Sequence, residues 1–325
     1  MQYRQLGRTG IEVSEIGYGT WPLGGGWGML DDAESLRALH RALELGINYF
    51  DTSPLYGDGH AERLVGRAVA GRRDRVVIAT RVPPKNYRWP VLSEDPITET
   101  FPADWIVECT EQSLKNLGTD YIDVQHLGAW TPKYTEQLEW YEAMSRLKNQ
   151  GKIRAFGVSA NDWDPYGPTD LVRSGLVDTV QVIYNIFEQR PAETLLPEAR
   201  QHEVGVIGRV PLEEGILTGR IGPDTKFPRG DWRIKWLTPL RLREVAERVE
   251  RLKPFLADDR PTLTALALKF SLSHPAISTI IPGMRSVDHV EANVAVSDGK
   301  LLPDSVLEAL KAHAFVHGWS YPWCT

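Results

Sequence analysis

The residues best suited to chemistry lie in the segment NYFDTSPLYGDGHAERLVGRAV, where Asp51 precedes Tyr56 by five positions. Gly57 and Gly59 then interrupt the chain ahead of a helical pattern. A phenol with a pKa of about 10 is a poor acid near neutrality unless a nearby positive charge stabilises the phenolate. A carboxylate can orient that cation. The pair therefore predicts proton transfer by a tyrosine, although a turn tyrosine beside a helix-capping aspartate would leave the same residues.

The elements that would position such a pair can be read from periodicity. Near-continuous apolar runs at 15–21, 49–51, 76–80, 122–127, 155–159, 179–182, 205–209 and 278–281 predict strands buried on both faces. Amphipathic stretches lie between them. DDAESLRALHRALELG opens on carboxylates suited to an N-cap and ends at Gly46, and two later helical patterns end at Gly118 and Gly151. PTLTALALKFSLSH supplies a late apolar helix with Pro261 near its start. Strand–helix alternation repeated eight times predicts a (β/α)8 TIM barrel, expected to form a single domain over 1–325. The open doubly wound sheet is disfavoured because no G-x-G-x-x-G follows a strand and opens a helix. Connections at 82–103, 128–135 and 210–238 are long, and each follows a strand, so long loops are expected at the C-terminal face.

Composition bounds the function further. The chain has 325 residues, 42% hydrophobic and 25% charged, with a formal net charge of −6. That balance argues against a nucleic-acid partner. No window reaches the length of an apolar membrane span, and the N-terminal MQYRQLGRTG lacks an apolar signal core, so a cytoplasmic enzyme is expected. Cys109 and Cys324 do not read as a disulfide framework, and no metal site is expected. Tryptophan is abundant, at 11 residues, and Trp27, Trp89, Trp130, Trp163, Trp232 and Trp236 fall in Gly/Pro-rich stretches. They read either as loop packing or as a stacking wall for a sugar ring or an aromatic substrate.

The ordered motifs YRQLGRTGIEVSEIGYGTW, LGTDYID, FGVSAND, QVIYN, PLEEGILTG and IIPGMRSVDHVEAN, taken with the Asp51–Tyr56 segment, resemble the aldo-keto reductases over nearly the whole chain. The resemblance implies a nicotinamide cofactor, NADP(H), and an Asp/Tyr/Lys/His tetrad in which Tyr56 is the general acid and Asp51 its partner. Two positions depart from it. The lysine position reads IATRVPP and is Arg81, while the histidine position is Gly128. Arg81 keeps a positive charge but not a lysine's proton exchange. Gly128 is expected to remove a donor and open volume beside the nicotinamide. His126, two residues earlier on the same strand, is either a packed lumen residue or a relocated catalytic one.

For the cofactor, the resemblance assigns Ser159 and Gln181 to the nicotinamide amide and Tyr184 to stacking on its ring. Core packing is the other reading of a strand-end tyrosine. Asn161 follows where the family's asparagine is replaced by Ala160. Val210, Leu212, Gly215 and Leu217 would wrap the pyrophosphate, with Arg209 and Val210 replacing a more usual Tyr-Ser pair. Gly283, Arg285, His289 and Asn293 would meet the adenosine end, and Arg285 would face a 2′-phosphate. The expected partner is a small carbonyl or sugar substrate, with Arg88, Arg233 and Lys235 as rim charges. The altered tetrad leaves room for a non-redox lyase or dehydratase, or for a cofactor-bound sensor without turnover.

Overall fold

A computed structural model describes residues 1–28, 31–162 and 164–319; Trp163 and Cys324 lie outside them. The chain opens with an antiparallel hairpin, β1 (Tyr3–Gln5) and β2 (Glu12–Ser14). Eight parallel strands follow: β3 (Tyr18–Gly19), β4 (Tyr49–Asp51), β5 (Val77–Val82), β6 (Ile122–Leu127), β7 (Ile153–Ser159), β8 (Thr179–Ile183), β9 (Gly205–Arg209) and β10 (Ile277–Ile280). Each pairs with its sequence neighbour. The first and last meet through Gly17 N–H to Ile280 O at 2.8 Å, Ile280 N–H to Glu15 O at 3.0 Å and Gly19 N–H to Pro282 O at 3.1 Å. These bonds close the (β/α)8 barrel.

All eight expected strands are present, with shifted ends. The largest change is at β3, which spans only two residues because Trp21–Gly24, with Pro22 at its start, turns into a short 3-10 helix. Proline cannot donate a ladder hydrogen bond, so the strand stops before it. Helix ends follow local chemistry. Asp31 caps the helix Asp32–Glu44 by accepting from Ala33 N–H at 3.2 Å, and Gly46 adopts φ +88° just past its end.

Alternate strand residues point into the barrel. Tyr49, Val77, Ala79, Val124, Ala155 and Ile207 form an apolar lumen that the hairpin seals with Leu6, Ile11 and Val13. The hairpin was not expected from the sequence, because its strands are only three residues each. Further toward the C-terminal end the inward positions become polar: Asp51, Arg81, His126, Ser159, Gln181 and Arg209. The larger core lies between the sheet and the surrounding helices. Among the described residues no helix is long and apolar enough to cross a membrane.

Candidate active site

Asp51 ends β4 and is buried. Arg81 lies on β5 one inward step beyond Ala79, the register partner of Asp51. Its Nη2 is 2.5 Å from Asp51 Oδ1, while Gln181 Nε2 donates to Asp51 Oδ2 at 2.8 Å. Both carboxylate oxygens are thus held, one by charge and one by a neutral amide. The Arg81 guanidinium carbon stands 5.6 Å from the Tyr56 ring centroid. Trp21 meets the same ring edge-on at 5.0 Å, a contact made possible by the helical turn that ends β3. Burial pushes the Tyr56 phenol up to about 12, with Arg81 the largest opposing influence. The structure thus places Asp51, Tyr56 and Arg81 side by side.

His126 is different. It is the register partner of Arg81 and points into the lumen, where its Nε2 is 3.1 Å from Thr179 Oγ1. Gly157 lies between them in the sheet. A Cβ there would fall 1.9 Å from Thr179 O, so only glycine lets the histidine and threonine meet. Burial, reinforced by Arg81, lowers the His126 imidazole to about 3. It does not line the cleft, and the structure corrects its placement among the catalytic candidates. Gly128 also needs correction. A Cβ there would lie 2.9 Å from Val82 O and 3.4 Å from Pro83 Cα, so the segment after β5 fills the volume expected to be open.

The cleft above the lumen has a volume of about 830 Å³, within the usual range for cofactor-sized ligands. Gln181 lines its floor, and Ser159 on β7 is its register partner in the sheet below. Ser159 Oγ and Gln181 Oε1 are buried without hydrogen-bond partners among the described residues. Such orphaned atoms are costly unless a ligand satisfies them, and a hydroxyl beside an amide oxygen suits a carboxamide. Val210, Leu212 and Gly215 line the wall after β9, at φ +55° for Val210 and +96° for Gly215. Leu217 is instead fully buried in the main core. Tyr184 follows an inward Ile183, so it faces outward and packs against Phe270 at 5.4 Å and His274 at 5.6 Å. It does not reach the cleft; the inward strand-end position there is Arg209.

At the far end Gly283, Arg285, His289 and Asn293 line the cleft together. A Cβ on Gly283 would come within 2.9 Å of Pro22 Cγ and 3.0 Å of the Trp27 ring. His289 Nδ1 accepts from Arg285 N–H at 3.4 Å and its Nε2 lies 3.4 Å from Arg220 Nη1. Burial, then Arg220 and Arg285, hold this imidazole below its ordinary range. The Arg285 guanidinium makes no hydrogen bond or ion pair among the described residues. An uncompensated guanidinium beside a second arginine is an anion site in waiting.

Of the tryptophans read as loop packing or a stacking wall, Trp27 and Trp89 line the cleft, and Trp21 and Tyr87, which the sequence reading missed, join them in its aromatic walls. Trp89 Nε1 donates to Asp162 Oδ2 at 2.9 Å, and the other Asp162 oxygen pairs with Arg209. Arg209 also donates to Ala160 O at 3.0 Å. Asn161 holds Val91 through both its backbone N–H, at 3.3 Å, and its carbonyl, at 3.0 Å. Asn161 and Asp162, just after β7, thus tie the long loop after β5 over the cleft. Of the expected rim charges, Arg233 lines the cleft but is locked by Asp231 and sits 4.8 Å from both the Trp27 and Phe227 rings. Arg88 pairs with Asp95, and neither Arg88 nor Lys235 lines the cleft. The departure of Arg209 from the usual tyrosine was the one sequence signal pointing to this network.

A barrel with a tyrosine, a carboxylate and a cation at its C-terminal mouth, above an orphaned hydroxyl–amide pair, defines a nucleotide-cofactor oxidoreductase type of site. The sequence profile of the aldo/keto reductase family matches residues 15–314. Aldo-keto reductase YhdN of Bacillus subtilis is 34% identical over 300 residues, covering 90% of this chain and 87% of its own length. The NADH-specific methylglyoxal reductase of Escherichia coli is 32% identical over 301 residues, covering 89% and 91%. Among solved structures, the holo form of aldo-keto reductase AKR11C1 from Bacillus halodurans superposes with a TM-score of 0.75 at 29% identity, covering both chains completely. The chain belongs to the aldo/keto reductase family.

Proposed function

We propose that the protein is an NADP(H)-dependent oxidoreductase interconverting a carbonyl and an alcohol on a small, sugar-like substrate, with Tyr56 as the proton-transfer residue. The observation that carries this reading is the Tyr56 ring beside the Arg81–Asp51 pair, in a cleft lined by Gln181, whose Oε1 is unsatisfied among the described residues, as is the Oγ of its register partner Ser159. When bound, the reduced nicotinamide supplies hydride to the carbonyl carbon. Tyr56 gives its hydroxyl proton to the carbonyl oxygen, and Arg81 stabilises the phenolate left behind. Asp51 holds the guanidinium in place. Ser159 and Gln181 hold the carboxamide and so orient the ring. The walls of Trp21, Tyr87 and Trp89 exclude water from the reacting atoms.

The 2′-phosphate preference rests on Arg285, whose guanidinium makes no hydrogen bond or ion pair among the described residues, with Arg220 beside the neighbouring His289. The Escherichia coli relative named as NADH-specific marks the opposing possibility within the family. Fluorescence titration with NADPH and NADH decides between them. Arg285→Ala should weaken NADPH about tenfold or more, as expected for loss of a charge-assisted phosphate contact, and leave NADH within about twofold. Equal affinities in the parent protein would overturn the NADP(H) assignment. Turnover of small aldehydes that survives in Tyr56→Phe would remove the assigned acid.

A further inference from the structure

Glu62 is a fully buried acid outside the barrel lumen, and the chemistry proposed above does not use it. It lies in the first turn of the helix His60–Ala68, directly after the turn that carries Tyr56. Its Oε1 accepts from Thr80 Oγ1 at 2.7 Å, and its Oε2 accepts from Asn116 Nδ2 at 2.7 Å. Thr80 precedes Arg81 on β5 and is itself fully buried. Asn116 sits at the end of the helix Ala103–Leu117. Two glycines make this close junction possible. A Cβ on Gly59 would collide with the Asn116 amide, and one on Gly66 with Leu117 O.

Proton transfer requires two parts to be held in relation, the turn that bears Tyr56 and the strand that bears Arg81. The Tyr56 hydroxyl makes no hydrogen bond among the described residues, so its place follows from its ring contacts and its backbone. That backbone is continuous with the helix: Tyr56 O accepts from Ala61 N–H at 3.1 Å, and Pro54 O accepts from Gly59 N–H at 2.7 Å. Glu62 comes next. Among the described residues, Thr80 to Glu62 is the only side-chain hydrogen bond between the segment 53–68 and β5. We propose that Glu62 is a positioning residue, which ties the Tyr56 turn to β5 and so sets the phenol against the Arg81 guanidinium. Thr80 and Arg81 are consecutive and point to opposite faces, so a bond on the outer face fixes a relation on the inner one. An error of about 1 Å in such a relation can cost about a hundredfold in rate. Stability alone does not call for this arrangement, because apolar groups of the same shape would serve nearly as well. A fully satisfied polar contact with two arms adds rigidity and direction, which packing lacks.

The proposal rests on proton transfer by Tyr56, and the test keeps the two apart. kcat and KM are measured with NADPH and D-glyceraldehyde in the parent, Thr80→Val, Thr80→Ser, Glu62→Gln and Asn116→Leu, with Tyr56→Phe as the reference for loss of the acid. NADPH affinity by fluorescence and the thermal midpoint report cofactor competence and folding. Thr80→Val removes the tie to β5 and should lower kcat about tenfold or more, with KM and NADPH affinity within about twofold of the parent. Thr80→Ser keeps the hydroxyl and should restore the rate. Glu62→Gln should stay within about threefold, because an amide accepts from Asn116 and donates to the Thr80 hydroxyl, which takes either role. Asn116→Leu breaks a bond of equal length to the same carboxyl but leaves the tie, so the midpoint should fall and kcat should not. An unchanged kcat in folded Thr80→Val overturns the assignment and leaves the Tyr56 chemistry standing. An equal fall in Asn116→Leu overturns it too, by tracing the loss to general loosening. Turnover that survives in Tyr56→Phe, or none in the parent, overturns the underlying reading and this one with it.

Discussion

Removing the Arg81 guanidinium is the sharpest test of the proposed chemistry. Its carbon stands 5.6 Å from the Tyr56 ring centroid. At an effective dielectric constant of about 20, one unit charge at that distance stabilises a phenolate by 332/(20 × 5.6), about 3 kcal/mol. At about 1.4 kcal/mol per unit, Arg81→Met should raise the Tyr56 pKa by about two units. Proton-transfer rates follow such changes with a coefficient between about one half and one, giving a loss of about tenfold to a hundredfold in carbonyl reduction. The substitution also strands Asp51 as a buried charge, which costs about 3–5 kcal/mol of stability when one partner of such a pair is removed. Arg81→Met/Asp51→Asn separates the two effects, because it removes the stranded charge without restoring the cation. The double variant should regain most of the thermal stability and little of the rate. Arg81→Lys, which keeps the positive charge, should stay within about tenfold of the parent. Steady-state reduction followed by loss of reduced-nicotinamide absorbance, with thermal unfolding alongside, gives both quantities. Reduction within twofold of the parent in folded Arg81→Met would refute phenolate stabilisation by this residue.

Alcohol oxidation needs the Tyr56 phenolate while carbonyl reduction needs the phenol. With the phenol held up to about 12, reduction should show no loss from Tyr56 ionisation up to about pH 10, whereas oxidation should climb with pH over that interval; pH–rate profiles in both directions check this. Gly128→His should not create a better small-aldehyde reductase. Its Cβ would press on Val82 O, so overpacking should cost about 1–3 kcal/mol, read as a lower unfolding midpoint in denaturant. Asp162→Ala should free the loop over the cleft, since the Trp89 and Arg209 contacts both vanish. Faster amide hydrogen exchange at 87–92 and a raised KM for substrate are the expected readouts, and unchanged exchange would contradict the tie. His126 is held neutral, with its pKa lowered from 6.5 to about 3. A base lowered in the folded state contributes stability that is present above about pH 6.5 and lost as pH falls toward about 3. His126→Gln should therefore unfold with a weaker acid dependence across that interval, measured by denaturant titration at several pH values.

The two departures from the usual tetrad have different physical consequences. Arg81 preserves the charge relation among Asp51, the cation and Tyr56, and adds a planar fork to it. Gly128 removes a side chain from a place the backbone already fills.

Local sequence was enough to read the eight barrel strands and the helix caps at Asp31 and Gly46, which depend on short-range rules: apolar runs buried on both faces and capping geometry. The expectation that Arg81 joins Asp51 and Tyr56 came instead from the resemblance to the aldo-keto reductases. Strand parity was also legible in principle, and counting from Gln181 through Ile183 would have turned Tyr184 outward. What the sequence could not supply was which distant segments occupy the same space. That Val82–Pro84 fills the room beside Gly128, that Gly157 lets His126 reach Thr179, and that Asp162 joins Trp89 to Arg209 are facts about chain segments tens of residues apart. Left-handed backbone at Glu213 and Glu214 likewise decided which carboxyl is structural and which faces the cleft, because neighbouring identical residues carry no local signal of direction.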